Sequence, residues 1–565
     1  MIRSIFILPL FIIMTVLESC GAESFVREKA DLVIDPSVYS IPGEAVTVWI
    51  QLKDKGVFSE SELAEALSGT YIPERTLKRR AKNGAGVTFG DLPLVETYIE
   101  GISALTLNIR QQSKWLNAVS ATVEKKALQD LAALPYVSKI QPVAKGRITD
   151  YENWDTEVYW QGLDGYDDRR EELGHEGAFY GVSYDQLDQI GVIEAHRRGY
   201  YGDGVIVAIL DGGFMTDHRA LIHADVIGEW DFIFNDENTN YDPSQDIKGQ
   251  PRHGTACMSN IAAYDPGNLI GCAPFASFIL GKTEDIRSET AAEEDYWVAA
   301  VEWAELQGAD VLSSSLSYLD WYSKGEFDGV TPLCSRASTR AFNLGMVVCT
   351  SMGNSGPRPT TMGTPADAEG NVTVGAVDSL GLVTRFSSRG PTADGRIKPN
   401  VLALGRHVTV AKPYTWDGYG LANGTSFSCP LAAGAIALLV QAHPDWSSWD
   451  ILEAVENTAS RAGRPDNSYG HGILQIDKAM DYPSISGYVT SAVGYKSVPG
   501  AKVLITSGIL AGTYPADGDG FYKIANLPEG SFLIKVQAEG YQDSEERELL
   551  APPDEFSDFI LEPLN

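Results

Sequence analysis

The middle of this chain is predicted to adopt an α/β fold, a parallel sheet with helices on both faces. A small α+β unit precedes it and an antiparallel β-sandwich follows. Three observations lead there. Between about residues 182 and 480, short apolar runs alternate with helical stretches, the pattern of strands joined by crossover helices. Residues 24–145 carry a separate mixture of alternating and helix-like segments. From Ile485 onward, short alternating strands are punctuated by glycine turns. A chain of 565 residues is too long for one core and calls for about three domains.

Residues 1–20 read as an export signal. Arg3 supplies the positive start, residues 5–16 are mostly apolar and too short for a comfortable membrane span, and small residues follow. Leu17-Glu18-Ser19-Cys20 resembles a bacterial lipoprotein cleavage box, with Glu18 atypical. That resemblance implies acylation of Cys20 and membrane attachment through it; ordinary cleavage between Cys20 and Ala22 is the other reading. Both take the protein out of the cytoplasm. The formal net charge is −32, from 44 basic and 76 acidic side chains, which argues against nucleic acid or an anionic membrane surface as a partner.

In residues 24–145, Val46, Val48, Ile50 and Leu52 alternate as one strand and residues 105–109 as another. Residues 115–123 follow, then a helix-like stretch at 124–133 and a strand-like one at 134–143. Residues 146–181 form a polar and aromatic linker without periodicity. In the central region the best strands are 205–210, 278–282, 311–315, 346–350 and 372–377. In the last, 484–565, Val503-Leu504-Ile505, Tyr522-Lys523-Ile524 and residues 532–536 are separated by Asp517-Gly518-Asp519-Gly520 and Pro528-Glu529-Gly530.

Chemistry concentrates in four segments of the central region: Asp211-Gly212-Gly213, His253-Gly254-Thr255, Gly353-Asn354-Ser355-Gly356 and Gly424-Thr425-Ser426-Phe427-Ser428-Cys429-Pro430. A serine hydroxyl is a weak nucleophile near neutral pH, so an imidazole must accept its proton and a carboxylate must hold that imidazole in one tautomer. Ser426, His253 and Asp211 fit those roles. Asp211 ends an apolar strand, at the sheet edge where α/β folds place their sites. His253 and Ser426 each open a helical pattern, residues 256–263 and 427–442, and a helix N-terminus offers free amides and a positive dipole end to an oxyanion. Asn354 adds a side-chain amide donor.

With Gly271-Cys272-Ala273-Pro274, Ser313-Ser314-Ser315-Leu316-Ser317, Phe386-Ser387-Ser388-Arg389-Gly390-Pro391 and Lys398-Pro399, these segments make residues 182–480 similar to the subtilisin-like serine proteases, which share the order Asp, His, Asn, Ser. The resemblance implies a serine endopeptidase acting on polypeptides. Asp211, His253 and Ser426 would be catalytic and Asn354 the oxyanion donor. Ser315, Leu316, Ser317 and Gly353 would contact substrate, and catalysis would need no cofactor. Two positions depart from the family pattern: Gly212, where Ser or Thr is common, and Ser317, where Gly is common. Ser317 bears on specificity, since that strand would line the pocket for the residue before the cut.

Residues 24–145 resemble the inhibitor propeptide of subtilases, implying a self-processing zymogen cut between about Val143 and Tyr180; a permanent N-terminal domain is the alternative. Residues 484–565 resemble the carboxypeptidase regulatory-like β-sandwich, read as a stabilising or spacing module or, alternatively, as one for adhesion or substrate docking. Five cysteines lie beyond Cys20. Cys257 and Cys429 read as small buried hydrophobes, and Cys334 with Cys349 as a candidate disulfide. The acids Glu284, Asp285 and 289–295 either favour basic substrate side chains or form a solvated helix start. Asn235, Asp236, Glu237, Asn238, Asp242 and Asp246 either hold a structural calcium, common in this family, or form an exposed loop; their spacing matches no EF-hand. Two rival functions remain: a non-catalytic cell-surface binding protein, against which the intact motif set speaks, and a protease that cuts only its own propeptide.

Overall fold

The computed structural model describes residues 33–144, 174–287, 294–319, 322–506, 512–528, 530–551 and 554–564. The export signal with Cys20, most of the 146–181 linker and acids 289–293 lie outside the described residues.

The N-terminal unit is a four-stranded antiparallel sheet with short helices. Its strands are β1 (Ala45–Leu52), β2 (Asn108–Ser113), β3 (Ala118–Glu124) and β4 (Val137–Pro142), in the order β2-β3-β1-β4. Helix α1 (Glu74–Lys82) lies between β1 and β2 in the chain. Two sequence expectations shift. Residues 105–107 precede β2, which runs instead through the polar Arg110-Gln111-Gln112, and Trp115 to Asn117 form the hairpin turn before β3. The polar strand was misread because its burial comes from packing against another part of the chain: Gln111 Nε2 donates to the Phe232 carbonyl at 2.9 Å.

The central sheet has seven strands, all parallel. They are β5 (Ile206–Asp211), β6 (Asp225–Asp231), β7 (Ser277–Lys282), β8 (Val311–Ser314), β9 (Val347–Ser351), β10 (Val372–Val377) and β11 (Val401–Leu404), in the order β11-β10-β9-β8-β5-β7-β6. The five expected strands are present. The two unforeseen ones stand at the edges: β6 is half exposed and shifts register between Val226 and Gly228, and β11 is only four residues long.

Alternation along the strands feeds two separate cores. Val207 and Ile209 of β5 enter one cluster with helices α2 (Arg252–Ala262) and α5 (Thr425–Ala442). Ala208 and Leu210 enter the other with α3 (Glu294–Leu306) and α4 (Leu333–Asn343). Helices therefore cover both faces, as two-sided burial of the strands demands. Among the described residues α5 is the one helix long and apolar enough to cross a membrane, and it is the buried core helix behind Ser426.

The N-terminal unit packs on the second face, with Trp49, Leu116, Ala118, Val143 and Ala144 joining the α3 and α4 cluster. Its polar contacts converge on carboxylates of α3. Arg79 and Arg80 of α1 both bind Glu305, and Arg80 also binds Asp91 at 2.8 Å. Arg110 binds Asp295 at 2.7 Å, and Glu302 accepts from the Ser113 hydroxyl and from the amides of Lys114 and Trp115. The C-terminal region, from Ile485, forms two small sheets around a core of its own.

Candidate active site

Asp211 and His253 meet at the C-terminal end of β5. Asp211 is its last residue and is 1 % exposed; His253 lies in the first turn of α2 and is 7 % exposed. His253 Nδ1 stands 2.9 and 2.8 Å from the two Asp211 carboxylate oxygens. The approach requires glycine at 254, since a methyl group there would sit 2.3 Å from the Gly213 carbonyl oxygen and 3.0 Å from Asp211 Cβ. Gln250 donates to the Gly212 carbonyl at 2.7 Å, and the Thr255 hydroxyl accepts from the Met215 amide at 3.0 Å, so the turn after β5 and the start of α2 are tied together. Burial works against charging the imidazole, but the Asp211 carboxylate outweighs it and holds the His253 pKa well above its ordinary 6.5.

Ser426 is the second residue of α5 and is 7 % exposed. Four residues on stands Pro430, which has no N–H to give to the Ser426 carbonyl. That carbonyl accepts instead from the Ser315 hydroxyl at 2.8 Å and the Cys257 thiol at 3.3 Å. Cys257 Sγ lies 3.7 and 3.8 Å from the two His253 ring nitrogens, and the Phe427 ring centre is 5.9 Å from that of His253. The imidazole is therefore seated against the Ser426 segment.

Asn354 follows β9, and its Oδ1 accepts from the Thr425 amide at 2.9 Å and the Thr425 hydroxyl at 3.0 Å. The Gly353 amide in turn donates to Thr425 Oγ1 at 3.1 Å. With its oxygen committed to Thr425, the carboxamide carries its N–H groups on the other side. Nδ2 stands beside Gly424 at the α5 N-terminus, 3.5 Å from where a Cβ would be. Ser315, Leu316 and Ser317 continue β8 past this point. The start of α5 with Ser426 is thus tied to Asn354 through Thr425 and to the His253 helix through Cys257, and acyl transfer through serine requires a hydroxyl, an oriented base and N–H donors of these kinds.

Other expectations change. All five described cysteines are free and buried, so Cys334 and Cys349 do not form a disulfide. Cys334 Sγ contacts Glu294 Oε1 at 3.2 Å, while Cys349 belongs to the core on the opposite face of the sheet. Burial pushes the Cys257 thiol up, so it remains a neutral thiol, and Cys429 is pushed up to about 12. In the oxygen-rich loop Asp236, Asp242 and Asp246 have partners within the chain. Lys282 binds Asp246 at 2.5 Å and Asp231 at 2.8 Å, Asp236 accepts from Gln245 at 2.8 Å, and Asp242 accepts from Ser244. An ammonium thus stands between Asp246 of the loop and Asp231 at the end of β6. The described acids near α3 are engaged as well: Asp285 with Arg287, Asp295 with Arg110, and Glu294 with the Ala144 amide at 3.1 Å and the Tyr322 hydroxyl at 2.8 Å. Sequence reasoning missed these α3 carboxylates as a docking face, because their partners come from Arg79, Arg80 and Arg110 far away in the chain.

Comparison with known proteins matches three regions of the chain. Residues 202–472 match the subtilase family, residues 47–154 the Bacteroidota propeptide domain of S8 peptidases, and residues 484–560 the carboxypeptidase regulatory-like domain. The chain is 29 % identical to subtilisin E of Bacillus subtilis (strain 168) over 379 residues, 66 % of this chain and 82 % of that protein. It is 31 % identical to subtilisin of Bacillus pumilus over 303 residues, 53 % of this chain and 98 % of that protein. In fold it is similar to fervidolysin from Fervidobacterium pennivorans, described as a keratinolytic enzyme related to subtilisin. The TM-score is 0.54 at 20 % identity, covering 91 % of this chain and 78 % of the other. With an S8 propeptide domain ahead of it and a regulatory-like domain behind, the chain belongs to the subtilase family of serine peptidases.

Proposed function

We propose that this protein is an exported bacterial endopeptidase, made as a zymogen, that hydrolyses peptide bonds of proteins through an acyl-enzyme on Ser426. The observation that carries the reading is the bidentate seat of His253 on Asp211 beside the α5 N-terminus. His253 takes the Ser426 proton as the hydroxyl attacks the scissile carbonyl, then gives it to the leaving amine. Asp211 fixes the imidazole tautomer and stabilises its charged form. The Asn354 side chain and the Ser426 amide hold the oxyanion, and water repeats the sequence in deacylation. Ser315, Leu316, Ser317 and Gly353 contact the substrate chain, and no metal or cofactor takes part in these steps.

Residues 24–145 are the propeptide, and the maturation bond falls in the segment that follows. Support comes from the packing of Val143 and Ala144 against the α3 region, which brings the end of the propeptide onto the catalytic domain. The first 20 residues direct export, with Cys20 as the acylated, membrane-attached residue. The test is incubation of the purified, export-trimmed protein beside Ser426→Ala, with products read by mass spectrometry. Propeptide release and cleavage of an added denatured protein by the wild type alone is the expected result. Loss of neither activity in Ser426→Ala overturns the assignment, and self-trimming without cleavage of added protein restricts it to self-processing.

A further inference from the structure

Lys282 ends β7 and is completely buried, yet no step at Ser426 uses it. It stands beside Asp211 in the sheet register. The alternation that puts Phe278 and Leu280 in the same core as Val207 and Ile209 puts the Lys282 and Asp211 side chains on one face. An ammonium buried there needs counter-ions inside the protein. Lys282 Nζ donates to Asp246 Oδ1 at 2.5 Å and lies 2.8 Å from Asp231 Oδ2. Asp231 is completely buried and Asp246 nearly so, and the centre of the Phe234 ring is 5.3 Å from the ammonium.

These two partners bracket the chain that delivers His253. Asp231 ends β6, and its Oδ1 accepts from the Ile233 and Phe234 amides at 2.8 and 3.0 Å, which fixes the exit from that strand. Asp246 Oδ2 accepts from the Asp242 amide at 2.9 Å, and from Asp246 the chain runs through Gln250 to His253. Gln250 is itself buried. It donates to the carbonyls of Gly212 and Glu284 and accepts from the Ile286 amide at 3.3 Å. On the other side, the Thr283 amide donates to the Asp211 carbonyl at 2.9 Å, and a methyl group on Gly213 would stand 3.6 Å from Lys282 Cδ. The Lys282 stem thus lies against the turn after Asp211, while its ammonium holds the loop that leads into His253.

We propose that Lys282 is a positioning residue for Asp211 and His253: its ammonium is the built-in cation of the oxygen-rich loop, and through that loop it sets where the imidazole meets the carboxylate. The proposal rests on the reading of Ser426 as the nucleophile. Without Lys282 two buried carboxylates lose their counter-ion, and a misplacement of about 1 Å in such a support costs roughly 100-fold in rate. The test compares full-length wild type, Lys282→Ala and Lys282→Met, each left to self-process to completion. A fluorophosphonate reagent counts reactive Ser426, so that kcat refers to folded enzyme. Lys282→Ala removes a propyl chain with its ammonium, so each protein is also prepared with propylammonium chloride and with 1-propanol. Both variants are expected to lose about 100-fold in kcat with KM within about threefold, and propylammonium to restore Lys282→Ala alone, saturably, by about tenfold or more. Either variant with kcat per reactive serine within about threefold of wild type, or a change confined to KM, overturns the proposal. So does a lack of rescue by propylammonium, or equal rescue by 1-propanol. An absence of reactive Ser426 in both variants under every condition makes Lys282 a residue of folding only and overturns it as well. A wild type that neither reacts with the reagent nor cuts peptide overturns the nucleophile assignment, and this proposal with it.

Discussion

Pro430 shows how single residues shape this site. By withholding the N–H that an ordinary helix would send back to the Ser426 carbonyl, it frees that oxygen for Ser315 and Cys257, which belong to β8's extension and α2. One missing donor thereby joins three elements at Ser426. The His253 pKa gives a prediction at the same scale. Catalysis needs the neutral imidazole, and Asp211 holds its pKa well above 6.5, so kcat/KM should rise with pH along an acid limb whose midpoint lies above 6.5. Asp211→Asn removes the charge that stabilises the imidazolium. It should move that limb to lower pH while reducing kcat about 10⁴-fold through loss of the correct tautomer. A pH–rate profile of both proteins checks this, and a limb that stays in place in Asp211→Asn would show that the carboxylate does not set the His253 charge.

At the scale of elements, the carboxylates of α3 are the face on which the N-terminal unit docks. Glu305 is completely buried between Arg79 and Arg80, and removing one partner of such a network strands the other charges away from water. In the inactive Ser426→Ala full chain, Glu305→Ala should weaken docking by about 3–5 kcal/mol, read as loss of amide-exchange protection in α1. Protection equal to that of the parent would mean that the ion pairs contribute nothing to docking. Glu302 adds a pH dependence. Burial pushes its pKa up to about 7, against the opposing effect of the Ser113 hydroxyl and the Trp115 and Lys114 amides. A carboxyl whose pKa is raised by docking contributes stability that is complete below its free value of about 4.3 and is lost as pH rises through about 7. The docked form should therefore loosen between pH 5 and 8, and Glu302→Gln should flatten that dependence when thermal midpoints are compared across the range.

For the whole molecule, the C-terminal sandwich has its own core, including Ile485, Val489, Val503, Ile534 and Phe559, and meets the catalytic region at a junction. Asp481 there binds Arg198 at 3.0 Å and Lys523 at 2.8 Å, both partly exposed pairs. Such pairs contribute about 0–1 kcal/mol, so a chain ending after Pro483, which keeps Tyr482 in the catalytic region's core, should keep kcat/KM within about threefold. Calorimetry of the full chain should show the sandwich unfolding in a transition of its own. A tenfold loss on truncation would show that the sandwich supports the active site. What the sequence determined by itself was local: strands buried on both faces read as apolar runs, glycines and helix starts marked Asp211, His253 and Ser426, and alternating strands marked the last domain. The edge strand β6 and the polar strand β2 escaped, because their burial is one-sided or supplied by another domain. Only the tertiary structure decided which groups are partners. It placed Cys334 and Cys349 in different cores instead of a disulfide, put Lys282 between Asp246 of the oxygen-rich loop and Asp231 at the end of β6, and set Arg79 and Arg80 on Glu305. The physical reason is the same in each case: a hydrogen bond or ion pair depends on distances of a few ångströms between residues tens to hundreds of positions apart, and periodicity carries no record of those distances.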